Sequence, residues 1–318
     1  MCGITGIFHY QGKQVEQRTI RQMTRVLAHR GPDDEGAWLN TFIGIGHRRL
    51  AIMDPSPAGS QPMQSPDKRY VISYNGEIYN FRDLRNELRQ RGYAFHSDSD
   101  TEVVLNAWHC WGRKALQRFN GMFAFALWDD QDKKLFLARD RYGIKPLYYW
   151  DNGHQLAFGS EIKAILQHPS YRTEVSAQAL HQYFTFQNIF SDHTLFKDIR
   201  MLPAAHCLEF TLGRGRTRAH QYWDFHFKDT NLFATEEEYV EELDRLFRQA
   251  VKRQLHSDVE MGSYLSGGMD SGAITSVAAS VFPELKTFTA GFDLSSASGM
   301  ELGFDERAKA EYLSNQYK

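Results

Sequence analysis

Cysteine is scarce in this sequence. Cys2, Cys110 and Cys207 are odd in number and widely spaced, and no C-x-x-C occurs. That excludes a disulfide framework or a cysteine zinc site and predicts a reducing, cytoplasmic setting. The 13 histidines show no H-E-x-x-H spacing, so no metal cluster is expected from them. Neither sign of charge dominates: 37 Lys and Arg against 39 Asp and Glu leave a net charge of -2. A near-neutral chain lacks the electrostatic footprint of a nucleic-acid partner. No apolar run approaches the roughly 20 residues that cross a bilayer. The N-terminus MCGITGIFHY has neither a basic n-region nor a long apolar h-region, so no signal peptide and no membrane partner are expected. Internal repeats and low-complexity tracts are also missing.

What is present is an ordinary globular balance, 42% hydrophobic and 24% charged, with 14% aromatics to fill a core. The 318 residues predict two domains at roughly 100–200 residues each. Residues 17–27, 81–91 and 101–111 carry helical spacing, with Ile20, Met23, Val26 and Leu27 on one face of the first. Residues 4–8, 41–45, 70–74, 123–128, 135–139 and 156–160 read as strands between polar turns. Strands outnumber what a βαβ alternation would give, so an α+β domain with two packed sheets is expected. Ser176 can cap a helix through Phe184, and residues 212–218 read as a hairpin or the end of a domain. Thr235 followed by Glu238 is a capping box that opens an amphipathic helix. A strand over 261–265, a Gly/Ser loop, a helix over 272–280 and a strand over 287–291 then begin a parallel α/β unit. The expected division is a first domain at 2–215, a linker at 216–234 and a second domain at 235–318.

Cys2 directly follows the initiator Met. Removing Met1 would leave a thiol and a free α-amine on one residue. An α-amine with a pKa near about 8 can act as general base for its own thiol. The context strengthens this reading. Cys2-Gly3-Ile4-Thr5-Gly6-Ile7 is followed by Arg30-Gly31-Pro32-Asp33 and His47-Arg48-Arg49-Leu50. Asn75-Gly76-Glu77-Ile78-Tyr79-Asn80, Ser99-Asp100-Thr101-Glu102 and the segments 121–126 and 139–148 come next. This ordered series resembles the N-terminal-nucleophile glutamine amidotransferases, most closely the asparagine synthetase B family. The resemblance implies a four-layer αββα glutaminase domain with Cys2 as nucleophile. It implies that Arg49 holds the glutamine α-carboxylate, that Glu77 and Asp100 hold its α-ammonium, and that Ile52, in the chain following Arg49, contacts glutamine. It implies an oxyanion hole from the Asn75 side chain and the Gly76 N–H, with Gly76 allowing close backbone approach. Arg48 is expected to be a solvated surface group.

Ser266-Gly267-Gly268-Met269-Asp270-Ser271 lies between an apolar strand and a helix. Such a loop can present successive N–H groups and a helix N-terminus to an anion; a Walker A pattern is absent. It resembles the S-G-G-x-D-S loop of ATP pyrophosphatases, which split ATP to AMP and pyrophosphate. The resemblance implies ATP as cofactor, held by Ser266, Gly267, Gly268, Asp270 and Ser271, with Leu265 and Ala290 lining the adenine pocket. Asp270 is the expected ligand of Mg²⁺.

Together these resemblances imply that glutamine is hydrolysed to glutamate and ammonia. ATP adenylates a carboxylate, and ammonia passed internally attacks the acyl-adenylate. The acceptor in the asparagine synthetases is aspartate. A second Gly/Ser/acidic segment of the family is absent from residues 230–318. The second domain is therefore expected to be an incomplete α/β parallel-sheet ATP pyrophosphatase domain, leaving this chain competent for glutaminase only. Two alternatives stay open: an amidotransferase for a different carboxylate, and a glutamine- and nucleotide-binding module without turnover. A homodimer is an open assembly state.

Overall fold

Several strands are buried along their whole length, although their sheets are antiparallel. Antiparallel strands commonly alternate buried and exposed positions. Here both faces of each sheet are covered, which the computed structural model makes plain; it describes residues 1–227, 235–293, 295, 299 and 303–317. The chain divides into two units, Met1–His226 and Phe227–Lys318.

The first unit contains β1 (Gly3–His9), α1 (Gln17–Arg25), β2 (Asp34–Leu39), β3 (Ile43–Arg49), β4 (Met63–Gln64) and β5 (Tyr70–Ile78). Next come α2 (Phe81–Gln90), α3 (Asp100–Trp111), α4 (Ala115–Arg118), β6 (Gly121–Asp129) and β7 (Lys134–Arg139). β8 (Tyr148–Asp151), β9 (Gln155–Gly159), α5 (Ile162–Ile165), α6 (Ala177–Phe186), β10 (Ile199–Met201), β11 (His206–Thr211) and β12 (Gly215–Gln221) complete it. One six-stranded sheet has the order β10-β8-β9-β1-β3-β2 and the other β12-β11-β7-β6-β5-β4.

Side-chain parity sorts the core into layers, because successive residues of a strand point to opposite faces. Ile4 and Phe8 of β1 meet Ala124, Ala126 and Trp128 of β6 between the sheets. On the far side of β6, Phe123, Phe125 and Leu127 pack on Leu84, Leu88, Val103 and Val104 of α2 and α3. On the far side of β1, Ile7 packs with Ile20 and Met23 of α1 and Ile165 of α5. This is the expected αββα layering. Ser176 caps α6, accepting from the Ala179 N–H at 3.3 Å.

One boundary differs from expectation. Residues 215–221, expected in the hairpin and the start of a linker, are the edge strand β12, paired antiparallel with β11. Its polar sequence hid it, since an edge strand need not bury both faces. Tyr222 beyond it is buried, and its hydroxyl donates to the Arg139 carbonyl at 2.7 Å. Residues 228–234 of the expected linker lie outside the described residues.

In the second unit, α7 (Glu236–Gln254) opens on the predicted capping box of Thr235 and Glu238. β13 (Gly262–Tyr264) and β14 (Lys286–Phe288) run parallel, joined through α8 (Met269–Ala279). The helix starts three residues before the predicted Gly272, so Asp270 and Ser271 belong to its first turn. α9 (Arg307–Gln316) follows. No helix among the described residues is long and apolar enough to cross a membrane.

Candidate active site

Three strands change character at one end of their inner faces. β3 runs Ile43, Ile45, then His47 and Arg49; β5 runs Val71, then Ser73, Asn75 and Glu77; β1 continues from Phe8 and Ile4 back to Cys2. Alternation keeps each set on one face, so the apolar sandwich opens into a polar end. Across the sheets, His47 Nδ1 lies 3.0 Å from Ser73 Oγ, which donates to the Gly46 carbonyl at 3.3 Å. Burial, then Arg49, pushes His47 down to about 3, so it is neutral. A cavity of about 150 Å³ follows, and all seven predicted glutamine-site residues line it: Cys2, Arg49, Ile52, Asn75, Gly76, Glu77 and Asp100. Arg48, one residue out of phase, instead pairs with Glu35 at 2.5 Å outside it.

Cys2 is held from two sides. Arg30 Nε donates to its carbonyl at 2.9 Å, and the Leu50 N–H reaches its Sγ at 3.4 Å. Burial raises the thiol above its ordinary value; the Leu50 N–H, the terminal ammonium and Arg49 oppose that. Burial also lowers the Met1 ammonium. Met1 itself lines the cavity, with its Sδ 3.1 Å from Lys145 Nζ.

The Arg30–Asp33 motif is explained by packing on β3. A Cβ on Gly31 would lie 2.4 Å from the Arg48 carbonyl carbon. The Asp33 carboxylate accepts from the Ala51 N–H at 2.8 Å. Arg49 is buried, and its terminal nitrogens donate to the carbonyls of Ser56 at 2.9 Å, Met53 at 3.3 Å and Asp54. A guanidinium has five N–H donors, so a ligand would share it with this loop.

Asn75 is 1% exposed, yet its Nδ2 has no hydrogen-bond partner among the described residues. A buried amide donor without a partner is costly, and this one borders the cavity. Gly76 is demanded by the fold itself: a Cβ there would meet the Met122 carbonyl of β6 at 2.2 Å. The expectation that this glycine serves close substrate approach is thus joined by a stricter structural reason. Asp100, in the first turn of α3, accepts from the Tyr74 hydroxyl and the Ile78 N–H, both at 2.9 Å. Burial raises its carboxyl to about 6 despite these bonds. Burial, then the neighbouring Asp100, raises Glu77 to about 7, against the pull of Lys145 and the N-terminus. The cavity also takes in Leu50, Tyr74 and Lys145, which sequence reasoning left without a role. Lys145 could have been found: it is the one lysine inside the 139–148 motif.

The loop at 266–271 closes on itself. Gly267 has φ of 79°, and a Cβ there would lie 2.6 Å from Lys309 Cβ. Ser266 and Ser271 hydroxyls lie 3.0 Å apart, and Ser271 donates to the Gly268 carbonyl at 3.2 Å. Both hydroxyls, expected to face phosphate, are engaged within the loop. Leu265, Ser266 and Ala290 line a separate cavity of about 370 Å³ just past the ends of β13 and β14. Gly267, Gly268, Asp270 and Ser271 do not line it; they form the adjoining turn and the start of α8. Among the described residues no group of three or more His, Cys, Asp or Glu can hold a metal.

Comparison with known proteins gives the family of each part of the chain. Residues 1–223 match the glutamine amidotransferase domain family and residues 242–318 the asparagine synthase family. Asparagine synthetase [glutamine-hydrolyzing] 3 of Bacillus subtilis is 42% identical over 287 residues, 89% of this chain and 46% of that protein. Asparagine synthetase [glutamine-hydrolyzing] 1 of the same organism is 37% identical over 97% of this chain and 48% of its own length. The chain thus spans about half the length of these curated relatives. Among solved structures, the glutamine phosphoribosylpyrophosphate amidotransferase of B. subtilis aligns with a TM-score of 0.51 at 16% identity, over 91% of this chain and 65% of that one. That likeness shows the fold: two antiparallel sheets packed face to face between helical layers. The chain belongs to the glutamine amidotransferase family, in the branch that joins this domain to asparagine synthase sequence.

Proposed function

We propose that the first unit hydrolyses glutamine with Cys2 as nucleophile after loss of Met1. The observation that carries this is the convergence of the Cys2 thiol, the partnerless Asn75 Nδ2, Arg49 and two carboxylates on one small cavity. Excision frees an α-amine beside the thiol, and that amine takes the thiol proton, directly or through water. The thiolate attacks the side-chain amide carbon. The Asn75 Nδ2 and Gly76 N–H receive the developing oxyanion, where donors fixed in advance act most strongly. The amine returns its proton to the leaving ammonia, and water then hydrolyses the glutamyl thioester. Arg49 takes the ligand's α-carboxylate; Glu77 and Asp100 take its α-ammonium.

In the second unit the reading is ATP binding at the 266–271 loop, with adenylation of a carboxylate that ammonia then amidates. Aspartate is the acceptor that the relatives' names imply. Mg²⁺ usually keeps several waters and takes only one or two carboxylates beside phosphate oxygens. The exposed lone carboxylate of Asp270 suits an ion arriving with nucleotide, and a preformed protein cage is not required.

The test is glutamate release from glutamine by protein whose Met1 removal has been verified by mass spectrometry. Absence of glutaminase in that protein would refute the nucleophile assignment. A chain extended by the asparagine synthase sequence of its relatives is expected to form asparagine and pyrophosphate from aspartate, ATP and glutamine. Amidation of another carboxylate in preference to aspartate would replace that acceptor.

A further inference from the structure

Two buried charged side chains, Arg139 and Asp140, hold the turn that ends in Lys145. Arg139 Nε donates to the Lys145 carbonyl at 2.8 Å, while Nη1 and Nη2 hold the carbonyls of Leu202 at 2.6 Å and Gly143 at 2.5 Å. Asp140, fully buried, accepts the N–H groups of Tyr142, Ile144 and Lys145, each at 3.0 Å, and of Phe123 at 3.2 Å. Both backbone groups of Lys145 are therefore fixed from buried charged side chains. Its ammonium ends in the Cys2 cavity on a residue only 5% exposed.

A buried ammonium is costly unless paired. Among the described residues, the hydrogen bond that Lys145 Nζ makes is to the Met1 thioether at 3.1 Å, and a thioether is a weak acceptor. Loss of Met1 would remove even that partner. Two carboxylates share the cavity with Lys145. Asp100 already accepts from the Tyr74 hydroxyl and the Ile78 N–H, whereas the Glu77 side chain makes no hydrogen bond and no ion pair within 4.0 Å among the described residues, which leaves it as the carboxylate open to Lys145. Glu77 is faced by Asp100 from α3, by the N-terminus ahead of β1, by Lys145 from its turn, and by the Tyr74 and Tyr79 hydroxyls. Lys145 in turn senses Glu77, Arg30, Cys2 and Asp140. Two carboxylates side by side in a buried site favour uptake of a proton by one of them. A fixed cation in the same cavity, plus a cationic ligand end, would balance both negative charges.

We propose that Lys145 is the fixed counter-cation of Glu77, a positioning residue that keeps this carboxylate available to the ligand's α-ammonium, and that the Arg139–Asp140 bracket serves to hold it there. The proposal rests on the glutaminase reading above.

The test compares Lys145→Met and Lys145→Arg in Met-processed protein, following kcat and KM for glutamine against pH. In Lys145→Met the acidic limb of kcat/KM should move up by about half a pH unit or more. KM at about pH 6.5 should rise roughly tenfold while kcat stays within about threefold. Lys145→Arg should restore the limb. A limb that does not move, or a uniform fall in kcat with unchanged KM, overturns the proposal. In a Glu77→Gln background, Lys145→Met should change KM no further; an added loss there also overturns it. A readout independent of turnover is the ¹³C-carboxyl NMR titration of Glu77 in Cys2→Ala protein, whose midpoint should rise when Lys145→Met is added. An unmoved midpoint sinks the pairing. Absence of glutaminase in the wild type defeats the glutaminase reading alone, and the titration still decides whether Lys145 and Glu77 are partners.

Discussion

Arg30 and Cys2 stand 28 residues apart in the chain and are joined by a 2.9 Å hydrogen bond from the guanidinium Nε to the Cys2 carbonyl. The other end of that guanidinium reaches Glu161 at 3.0 Å, where His29 and Lys163 also converge. Burial alone would raise Glu161; hydrogen bonds from Lys163, His29 and Arg30 outweigh it and hold the carboxyl down to about 2. The backbone of Cys2, the proposed nucleophile, is thus tied to a carboxylate that stays ionised over the whole neutral range. Arg30→Met should lower kcat for glutamine at least about tenfold with a smaller change in KM, since a small misplacement of a nucleophile is costly. Steady-state kinetics with an unchanged kcat would remove Arg30 from this role.

The three thiols should differ in reactivity. Cys207 is buried, and burial pushes its thiol up to about 12, which leaves almost no thiolate at neutral pH. In Met-processed protein at about pH 7.5, iodoacetamide should label Cys2 well before Cys207, and glutaminase should fall in step with Cys2 labelling. Peptide mapping by mass spectrometry checks this. Cys2→Ala should abolish glutamine hydrolysis while leaving the thermal midpoint nearly unchanged, because the side chain is only partly buried.

Gly59 packs against Arg49: a Cβ there would lie 2.1 Å from Nη2 and 2.8 Å from the Asp54 carbonyl. Gly59→Ala should displace the guanidinium and raise KM for glutamine about tenfold or more with kcat much less affected. Gly76→Ala carries a structural cost as well, because β6 backbone occupies the space. A loss of about 1–3 kcal/mol of stability is expected from such overpacking, read as a lowered denaturant midpoint.

The raised carboxyl of Glu77 has a stability consequence with a definite sign. Its folded value, about 7, lies above the ordinary glutamate value. Between about pH 4.5 and about pH 7 the unfolded chain therefore ionises first, and stability falls as pH rises through that window. Glu77→Gln removes this contribution. The thermal midpoint of the variant relative to wild type should be higher at about pH 8 than at about pH 5. A difference that is flat or reversed would show that the carboxyl does not titrate as described.

In the second unit, Gly267→Ala should disturb the turn twice over, through φ of 79° and through Lys309. Nucleotide-dependent thermal stabilisation by ATP with Mg²⁺ should be lost in Gly267→Ala and weakened in Asp270→Ala. Glutamine hydrolysis by the first unit should be retained in both. Unchanged stabilisation by ATP in both variants would remove the loop from nucleotide binding.

The readable parts of this protein are those whose physics is local. The capping box of α7 involves four consecutive residues, and the buried strands β1, β6 and β7 are apolar runs long enough to stand out. The seven residues expected at the glutamine site keep the order and spacing of their motifs, and all seven line one cavity. β2 was not read as a strand: its DEGAWL sequence is only partly buried and carries two acids. β12 was hidden for the same reason. Lys145 and Leu50 stand inside the motifs but were given no role, because what brings each to the cavity is folding and not spacing. Arg139 and Asp140 fold the turn that carries Lys145, and the contact of Leu50 with Cys2 bridges 48 residues.

The thiol of Cys2 and the amide of Asn75 belong to different sheets, and the layer that separates those sheets is filled by Phe8, Ile45, Trp128 and their neighbours. Close-packed interiors transmit changes of volume instead of absorbing them. On the proposed glutaminase reading, the hydrophobic sandwich acts as a calliper: its thickness sets the gap across which a carbonyl would have to fit. A methylene added or removed at Ala126 or Ile45 alters that gap from inside the core, without touching a single group that meets the ligand.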